Sequence, residues 1–154
     1  VGKEENPFVQ KVIERVKNEN AKYVIISAAI EAEVAQLPSQ EERVDFLTSL
    51  GIQETGLNRV IREAYSLLNL ITFFTSGPKE THAWTLKKGK CAPQAAGEIH
   101  SDFERGFICA EVIGYSDYIQ CEGEMGAKTA GKLRQEGKSY VVQDGDIILF
   151  RFNV

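Results

Sequence analysis

Cys91-Ala92-Pro93-Gln94-Ala95-Ala96-Gly97-Glu98-Ile99-His100-Ser101-Asp102-Phe103-Glu104-Arg105-Gly106-Phe107-Ile108 is the stretch on which the fold of this chain turns. Its first half is built from small residues. Ala92, Ala95, Ala96 and Gly97 carry little or no side chain, so another backbone can pack close against them. Pro93 suits the first turn of a helix, where its missing N–H costs nothing. Gly106 ends the segment and releases a strand over residues 107–113. The pattern predicts a short helical plug seated on a small mixed sheet, an α+β module.

The flanks supply that sheet. Ile71-Thr72-Phe73-Phe74-Thr75 reads as a strand, Ser76-Gly77-Pro78 as a turn, and residues 81–86, with Ala83-Trp84 inside, as the returning strand of a hairpin. Beyond the third strand, residues 115–120 read as a short extended or irregular piece. Residues 126–132, rich in Ala and Gly, predict a short helix. Residues 139–142 and 147–152 flank Asp144-Gly145, a strong turn pair, and predict a closing hairpin. Hairpin, helix, strand and closing hairpin is the order of a β-grasp, the ubiquitin-like roll.

The amino-terminal part has a different period. Asn6-Pro7 opens a helix, with Asn6 as cap and Pro7 at its first position. Val9, Val12, Ile13 and Val16 follow at helical spacing, and the pattern ends near Asn18-Glu19-Asn20. Tyr23-Val24-Ile25-Ile26 is a continuous apolar run, which predicts a strand buried on both faces. Helix then buried strand is the closing unit of a parallel α/β sheet. Residues 29–35 predict a short helix stopped by Leu37-Pro38. Ser39-Gln40-Glu41-Glu42 has the capping-box spacing and opens another helix, with Val44, Phe46, Leu47 and Leu50 facing inward and Gly51 closing it. Thr55-Gly56 opens a third, with Leu57, Val60, Ile61, Ala64, Tyr65, Leu67 and Leu68 on its apolar side and Arg59, Arg62 and Glu63 on a solvated one. The period changes near Asn69-Leu70, the expected boundary, and the short hinge predicts a preferred mutual orientation of the two parts.

Composition narrows the function classes. The 154 residues suffice for one domain or two small ones, and 43% hydrophobic content supports a folded core. Net charge is −4, against a strongly basic nucleic-acid binder. Residues 1–70 carry 8 basic and 11 acidic side chains, and residues 71–154 carry 10 and 11, so the second part is near neutral and has room for a local basic face. Cys91, Cys109 and Cys121 form no CxxC pair, which argues against a zinc knuckle or a dithiol site and for reduced thiols in the cytosol. No apolar run reaches the length of a membrane span and no signal peptide is present. The chain begins at Val1, not Met, and the expectation is that a segment upstream is missing.

Candidate site residues fall in three groups. Ser27-Ala28 stands at the carboxyl end of the apolar run, the place where open α/β sheets bind ligands. A small pair there leaves room for a flat base and offers backbone N–H donors; the competing reading is that these residues merely start the next helix. Lys87, Lys88 and Lys90 precede the plug, and Lys128, Lys132, Arg134 and Lys138 precede the closing hairpin. The two sets either meet on one side and contact RNA phosphates, or are solvated loops balanced by Glu122, Glu124 and Glu136. His100 with Cys91 or Cys109 makes a possible nucleophile pair, with no third residue to orient it. The alternative for His100 is a hydrogen bond at the end of the plug helix, with Asp102 as partner. His82 reads as a strand-surface residue and Trp84 as packed in the sheet. No metal ligand set is apparent.

Three signatures carry a family resemblance: Phe73-Phe74-Thr75-Ser76-Gly77-Pro78-Lys79-Glu80 with Ala83-Trp84-Thr85; Ala92-Pro93-Gln94-Ala95-Ala96-Gly97 through Ile99-His100 and Asp102-Phe103-Glu104-Arg105-Gly106-Phe107-Ile108; and Val142-Gln143-Asp144-Gly145-Asp146 leading to Phe150-Arg151-Phe152-Asn153-Val154. Together they resemble the YchF-type Obg-like P-loop NTPases, across essentially the whole chain. Residues 71–154 resemble the family's TGS domain. The resemblance implies that residues 1–35 are the last helix and strand of a nucleotide-binding P-loop domain and residues 36–70 connecting helices. It implies a longer parent that binds and hydrolyses ATP, GTP or both with Mg2+, in the cytoplasm, in association with ribosomes or RNA through the TGS module, with no membrane or DNA partner. Ser27-Ala28 falls where the family touches the base through its backbone. The family's base-reading N-x-x-E motif would begin just before Val1, with Lys3, Glu4 and Glu5 the positions near its acidic end.

No G-x-x-x-x-G-K-[S/T] occurs here, so this sequence has no backbone cradle and lysine for phosphates. The expectation is that this chain alone takes no cofactor and has no catalytic residue, and that hydrolysis belongs to the parent. The rival readings are a free-standing ubiquitin-like interaction module without nucleotide binding and, more remotely, a Cys–His hydrolase with a reactive Cys91.

Overall fold

The computed structural model describes residues 6–19, 21–77 and 79–153. Lys3, Glu4 and Glu5, Asn20, the turn residue Pro78 and the terminal Val154 lie outside the described residues. The chain divides into two compact units, Val1–Leu67 and Leu68–Val154.

The first unit is helical. Helix α1 (Pro7–Asn18) begins as its sequence dictates: Asn6 Oδ1 accepts the Phe8 N–H at 2.9 Å and Pro7 takes the first position. Helices α2 (Ala28–Gln36), α3 (Gln40–Ser49) and α4 (Gly56–Leu67) follow. Ser39 Oγ accepts the Glu42 N–H at 3.1 Å, and Thr55 Oγ1 the Asn58 N–H at 3.1 Å. Both are side-chain caps for orphan donors of a first turn. Arg43 donates twice to the Leu37 carbonyl, at 3.0 and 2.9 Å, which fixes the turn between α2 and α3.

One expectation changes here. Residues 21–27 run between α1 and α2 with no strand assignment. Tyr23 is 39% exposed and Ile26 48%, so the run is not buried on both faces. A strand is defined by its ladder partners, and among the described residues none pairs with this run.

The second unit is a five-stranded mixed sheet with a helical plug, as the α+β reading requires. Strands β1 (Leu70–Ser76) and β2 (Thr81–Lys87) form the expected hairpin, in register from Leu70 opposite Lys87 to Ser76 opposite Thr81. Helix α5 (Ala92–Ile99) and helix α6 (Ser101–Arg105) carry the plug. Strand β3 (Phe107–Gly114), helices α7 (Tyr115–Gln120) and α8 (Glu124–Thr129), and strands β4 (Arg134–Glu136) and β5 (Asp146–Phe152) complete the chain. The strand order is β2-β1-β5-β3-β4, with β5 antiparallel to β3 and parallel to β1.

The core explains the small residues. Ala92, Ala95 and Ala96 are wholly buried and share one cluster with Phe73, Leu86, Val112, Val142 and Ile148. Phe73 lies edge-on to Phe150, with ring centroids 6.0 Å apart, and stacks on Trp84 at 6.5 Å. Each of these large side chains contributes about 1.5–3 kcal/mol through burial. Gly106 is where two backbones meet: a Cβ there would run into the Asn153 carbonyl, and the Asn153 N–H bonds the Gly106 carbonyl at 2.9 Å.

Three further local expectations give way. Residues 115–120 are helical, not extended. Tyr115 and Tyr118, three apart, turn the same way, Tyr115 to Phe74 (6.3 Å between centroids) and Tyr118 Oη to Ser76 Oγ at 3.1 Å. The plug breaks into two helices at His100, whose extended backbone (φ −160°, ψ 140°) caps α6. Residues 139–142 do not pair with β5 in a closing hairpin. They run beside the start of the plug: the Ala92 N–H bonds the Tyr140 carbonyl at 2.9 Å, and the Val142 N–H bonds the Lys90 carbonyl at 3.1 Å. The Asp144-Gly145 turn is anchored on β1 instead. Asp144 Oδ1 accepts the Thr72 N–H at 2.8 Å and the Gly145 N–H donates to the Thr72 carbonyl at 2.7 Å.

Candidate functional site

Ser27 is the N-cap of α2 and Ala28 its first residue. Ser27 has extended backbone (φ −106°, ψ 105°), and its hydroxyl does not cap the helix. Its carbonyl accepts the Glu31 N–H at 3.0 Å. The N–H groups of Ala28, Ala29 and Ile30 have no acceptor among the described residues. Ala28 and Ala29 are exposed. Open donors and small side chains at the positive end of a helix dipole form an edge against which an electron-rich acceptor can sit. A cleft of about 160 Å³ opens on Ser27, and Glu31, Glu54, Gly56 and Arg59 line it with the apolar Ile26 and Ile30.

Two side chains that hold this loop were missed in the sequence. Glu31 Oε1 accepts the Gly56 N–H at 2.7 Å, and Oε2 lies 3.5 Å from the Leu57 nitrogen. Arg59 Nη1 donates to the Ile25 carbonyl at 3.3 Å. Arg59 therefore corrects the solvated-face reading of Arg59, Arg62 and Glu63; it is half-buried and turned inward. Arg62 pairs with Glu54, and Glu63 with Lys22 at 3.1 Å. The signal that existed was Glu31 at helical spacing from Ser27; its partner, 25 residues on, left no periodic trace.

In the second unit the lysines separate into two groups. The backbone bonds between Lys90 and Val142, and between Ala92 and Tyr140, tie residues 90–92 antiparallel to residues 140–142, so Lys87 and Lys88 leave this pairing at one end and Lys138 at the other. Lys87, Lys88 and Lys138 are exposed and have no ion-pair partner among the described residues. Lys90 lies 3.7 Å from Glu98. Lys132 pairs with Asp117 at 3.2 Å, and Lys128 is exposed on the last turn of α8. Arg134 stands on β4, the edge opposite β2.

Arg134 also joins a buried polar node. Asp146, 3% exposed, accepts the Tyr140 O–H at 2.7 Å and the Gln143 N–H at 2.8 Å through Oδ2. Arg134 Nη2 donates to Tyr140 Oη at 3.2 Å and stands 3.8 Å from Asp146 Oδ1. Burial, then the hydrogen bond to Asp146, pushes the Tyr140 phenol up to about 12.

The Cys–His pair is not assembled by hydrogen bonding. His100 Nδ1 accepts the Asp102 N–H at 3.1 Å, the helix-end role with Asp102 as partner. The Arg105 guanidinium, bonded to Asp102, holds that carboxyl below its usual range. Cys91 Sγ faces the Ser139 carbonyl at 3.9 Å, and Cys109 Sγ accepts from Gln135 Nε2 at 3.3 Å. His82 packs on Trp84, whose indole N–H donates to Thr75 Oγ1 at 3.0 Å. Among the described residues no cluster of His, Cys, Asp and Glu stands ready for a metal ion, and no helix is long and apolar enough to cross a membrane.

Known proteins share this chain's sequence and fold. The family model YchF-GTPase_C, described as a protein of unknown function, matches residues 70–153. The ribosome-binding ATPase YchF of Haemophilus ducreyi is 60% identical over 151 residues, 98% of this chain and 41% of that protein. The ribosome-binding ATPase YchF of Bacillus subtilis is 55% identical over 149 residues, 97% of this chain and 40% of that protein. Among solved structures, the YchF GTPase of Schizosaccharomyces pombe superposes with a TM-score of 0.79 at 33% identity, over 96% of this chain and 39% of that one. A GTP-binding protein of Pyrococcus horikoshii shares the fold, with a TM-score of 0.65 at 20% identity, over 97% of this chain and 42% of that one. The chain spans about two fifths of the length of the curated relatives it matches.

Proposed function

Since this chain belongs to the YchF family, we propose that it is the carboxyl-terminal part of a cytoplasmic, ribosome-associated P-loop NTPase. In this reading residues 1–35 close the nucleotide-binding sheet, residues 36–70 connect, and residues 71–154 are a TGS module of the β-grasp type that contacts ribosome or RNA. One observation carries the nucleotide half. Among the described residues, an apolar segment without strand partners leads into Ser27-Ala28, beside backbone donors that have no acceptor. A free-standing ubiquitin-like module has no use for such a segment. The exposed apolar face of α4, with Leu57 at 61% and Ile61 at 49%, supports the same view.

The ligand of the whole protein is ATP or GTP with Mg2+. Mg2+ would draw charge from the transferring phosphoryl group. Ser27 and Ala28 would meet the base through backbone, and no residue of this chain is assigned to the phosphates. The ribosome contact is assigned to Lys87, Lys88, Lys90 and Lys138, of which Lys87, Lys88 and Lys138 are exposed and without an ion-pair partner among the described residues, with Lys128 as a further contributor. Lys132 and Arg134, engaged by Asp117 and by the Tyr140–Asp146 node, are secondary.

Two titrations test the reading. Labelled ATP and GTP should bind the full-length protein and leave residues 1–154 alone unbound. Ribosome pelleting should retain residues 1–154 at low salt and lose them when Lys87, Lys88, Lys90 and Lys138 become Glu. A full-length protein that binds neither nucleotide, while its ribosome binding persists, points to the interaction-module reading instead. Unchanged pelleting of the four-Glu variant overturns the lysine assignment.

A further inference from the structure

We infer that Glu31 and Arg59 are positioning residues that clamp the Ser27-Ala28 loop onto the first turn of α4 and so set how firmly the protein holds a nucleobase. This rests on the proposed base contact at Ser27-Ala28. The loop is gripped from both ends by one helix. On its downstream side, the Glu31 carboxylate spans to α4 and accepts the Gly56 N–H at 2.7 Å, with Oε2 3.5 Å from the next amide nitrogen. On its upstream side, Arg59, three residues into the same helix, donates to the Ile25 carbonyl at 3.3 Å. Residues 25 and 31 bracket the loop, so its two anchors share one rigid reference.

The chemistry of the clamp favours a fixed position. A carboxylate at a helix N-terminus is held both by hydrogen bonds to orphan N–H groups and by the positive end of the dipole. Gly56 is fitted to it: a Cβ there would lie 2.9 Å from Glu31 Oε1 and 3.0 Å from Ile26 Cγ2. The close approach that absence of a side chain permits lets the carboxylate reach the amide. None of these groups touches the base in this reading. They act through the loop, whose open amides must stand still for a planar ligand to gain from them.

The experiment uses the full-length protein and three ligands: ATP, GTP and inorganic tripolyphosphate, which has no base. Glu31→Ala and Arg59→Met should each weaken ATP and GTP by about tenfold, the scale of a lost helix cap, and leave tripolyphosphate unchanged. Glu31→Gln, which keeps a carbonyl acceptor for the Gly56 N–H, should restore nucleotide affinity to within about threefold of the unaltered protein. Unchanged nucleotide affinity in Glu31→Ala overturns the clamp. So does an equal loss of nucleotide and tripolyphosphate, which marks general damage to the fold. Ala28→Trp, which fills the space offered to the base, separates the two layers. If it weakens ATP and GTP while Glu31→Ala does not, the base contact stands and the clamp falls. If it changes neither, the base contact falls and the clamp's role with it.

Discussion

Tyr140 and Gly106 show how single residues set the second unit. Tyr140 bonds buried Asp146 and receives Arg134. Tyr140→Phe leaves that carboxylate short of one donor and should cost about 1–3 kcal/mol in chemical denaturation. Its pH signature has a definite sign. The phenol titrates at 10.0 in the unfolded chain and at about 12 in the fold. Between those values the unfolded state releases a proton that the native state keeps. The contribution is therefore whole below about pH 10 and is lost as pH rises through about 12. Wild-type stability should fall more steeply than that of Tyr140→Phe across this window, and parallel curves would refute the assignment. At Gly106 the neighbour of any new Cβ is backbone, the Asn153 carbonyl. Gly106→Ala should lower stability by about 1–3 kcal/mol, read as an earlier thermal midpoint, because neither chain can yield.

At the scale of elements, the plug and the segment before it decide what the second unit offers to a partner. The plug's small residues seal the core, and its entry is tied to residues 140–142 by backbone bonds. Lys87 and Lys88 precede that entry and Lys138 precedes the segment tied to it, all three exposed and without an ion-pair partner among the described residues. If they meet phosphates, replacing Lys88 and Lys138 by Gln should weaken ribosome binding. The slope of its logarithm against log salt should also become shallower, by about one for each lysine–phosphate pair removed. Lys132→Gln, already paired with Asp117, should change the slope little. Equal slopes for all these variants would remove the distinction between the groups. The period of the sequence predicted the plug, the β1–β2 hairpin and the third strand. It misassigned residues 115–120 because a six-residue helix gives too short a record of its period, and it missed the three-residue β4, which exists only by pairing with β3.

For the whole molecule, the connection between the units is covalent and short. Only Leu68 and Asn69 separate the end of α4 from the start of β1. The helix that grips the Ser27-Ala28 loop is thus the one that leads into the sheet. If nucleotide occupancy is relayed through α4, inserting Gly-Gly between Leu67 and Leu68 should leave nucleotide affinity intact and abolish any difference in ribosome binding between nucleotide-loaded and empty full-length protein. A retained difference would place the relay elsewhere.

Periodicity, caps and the small-residue plug were enough to determine an α+β chain with helices first and a plugged sheet after, because those signals are local and each spans a few residues. The family signatures added its membership. What only the tertiary structure decided were the relations between distant residues. Glu31 meets Gly56, Arg59 meets Ile25, and Tyr140 meets Asp146 while its strand-like neighbours turn away from the expected hairpin to the plug. Such pairs leave no period in a sequence. A carboxylate chooses its partner by where folding delivers unpaired N–H groups, and a short extended segment becomes a strand only where another backbone stands beside it.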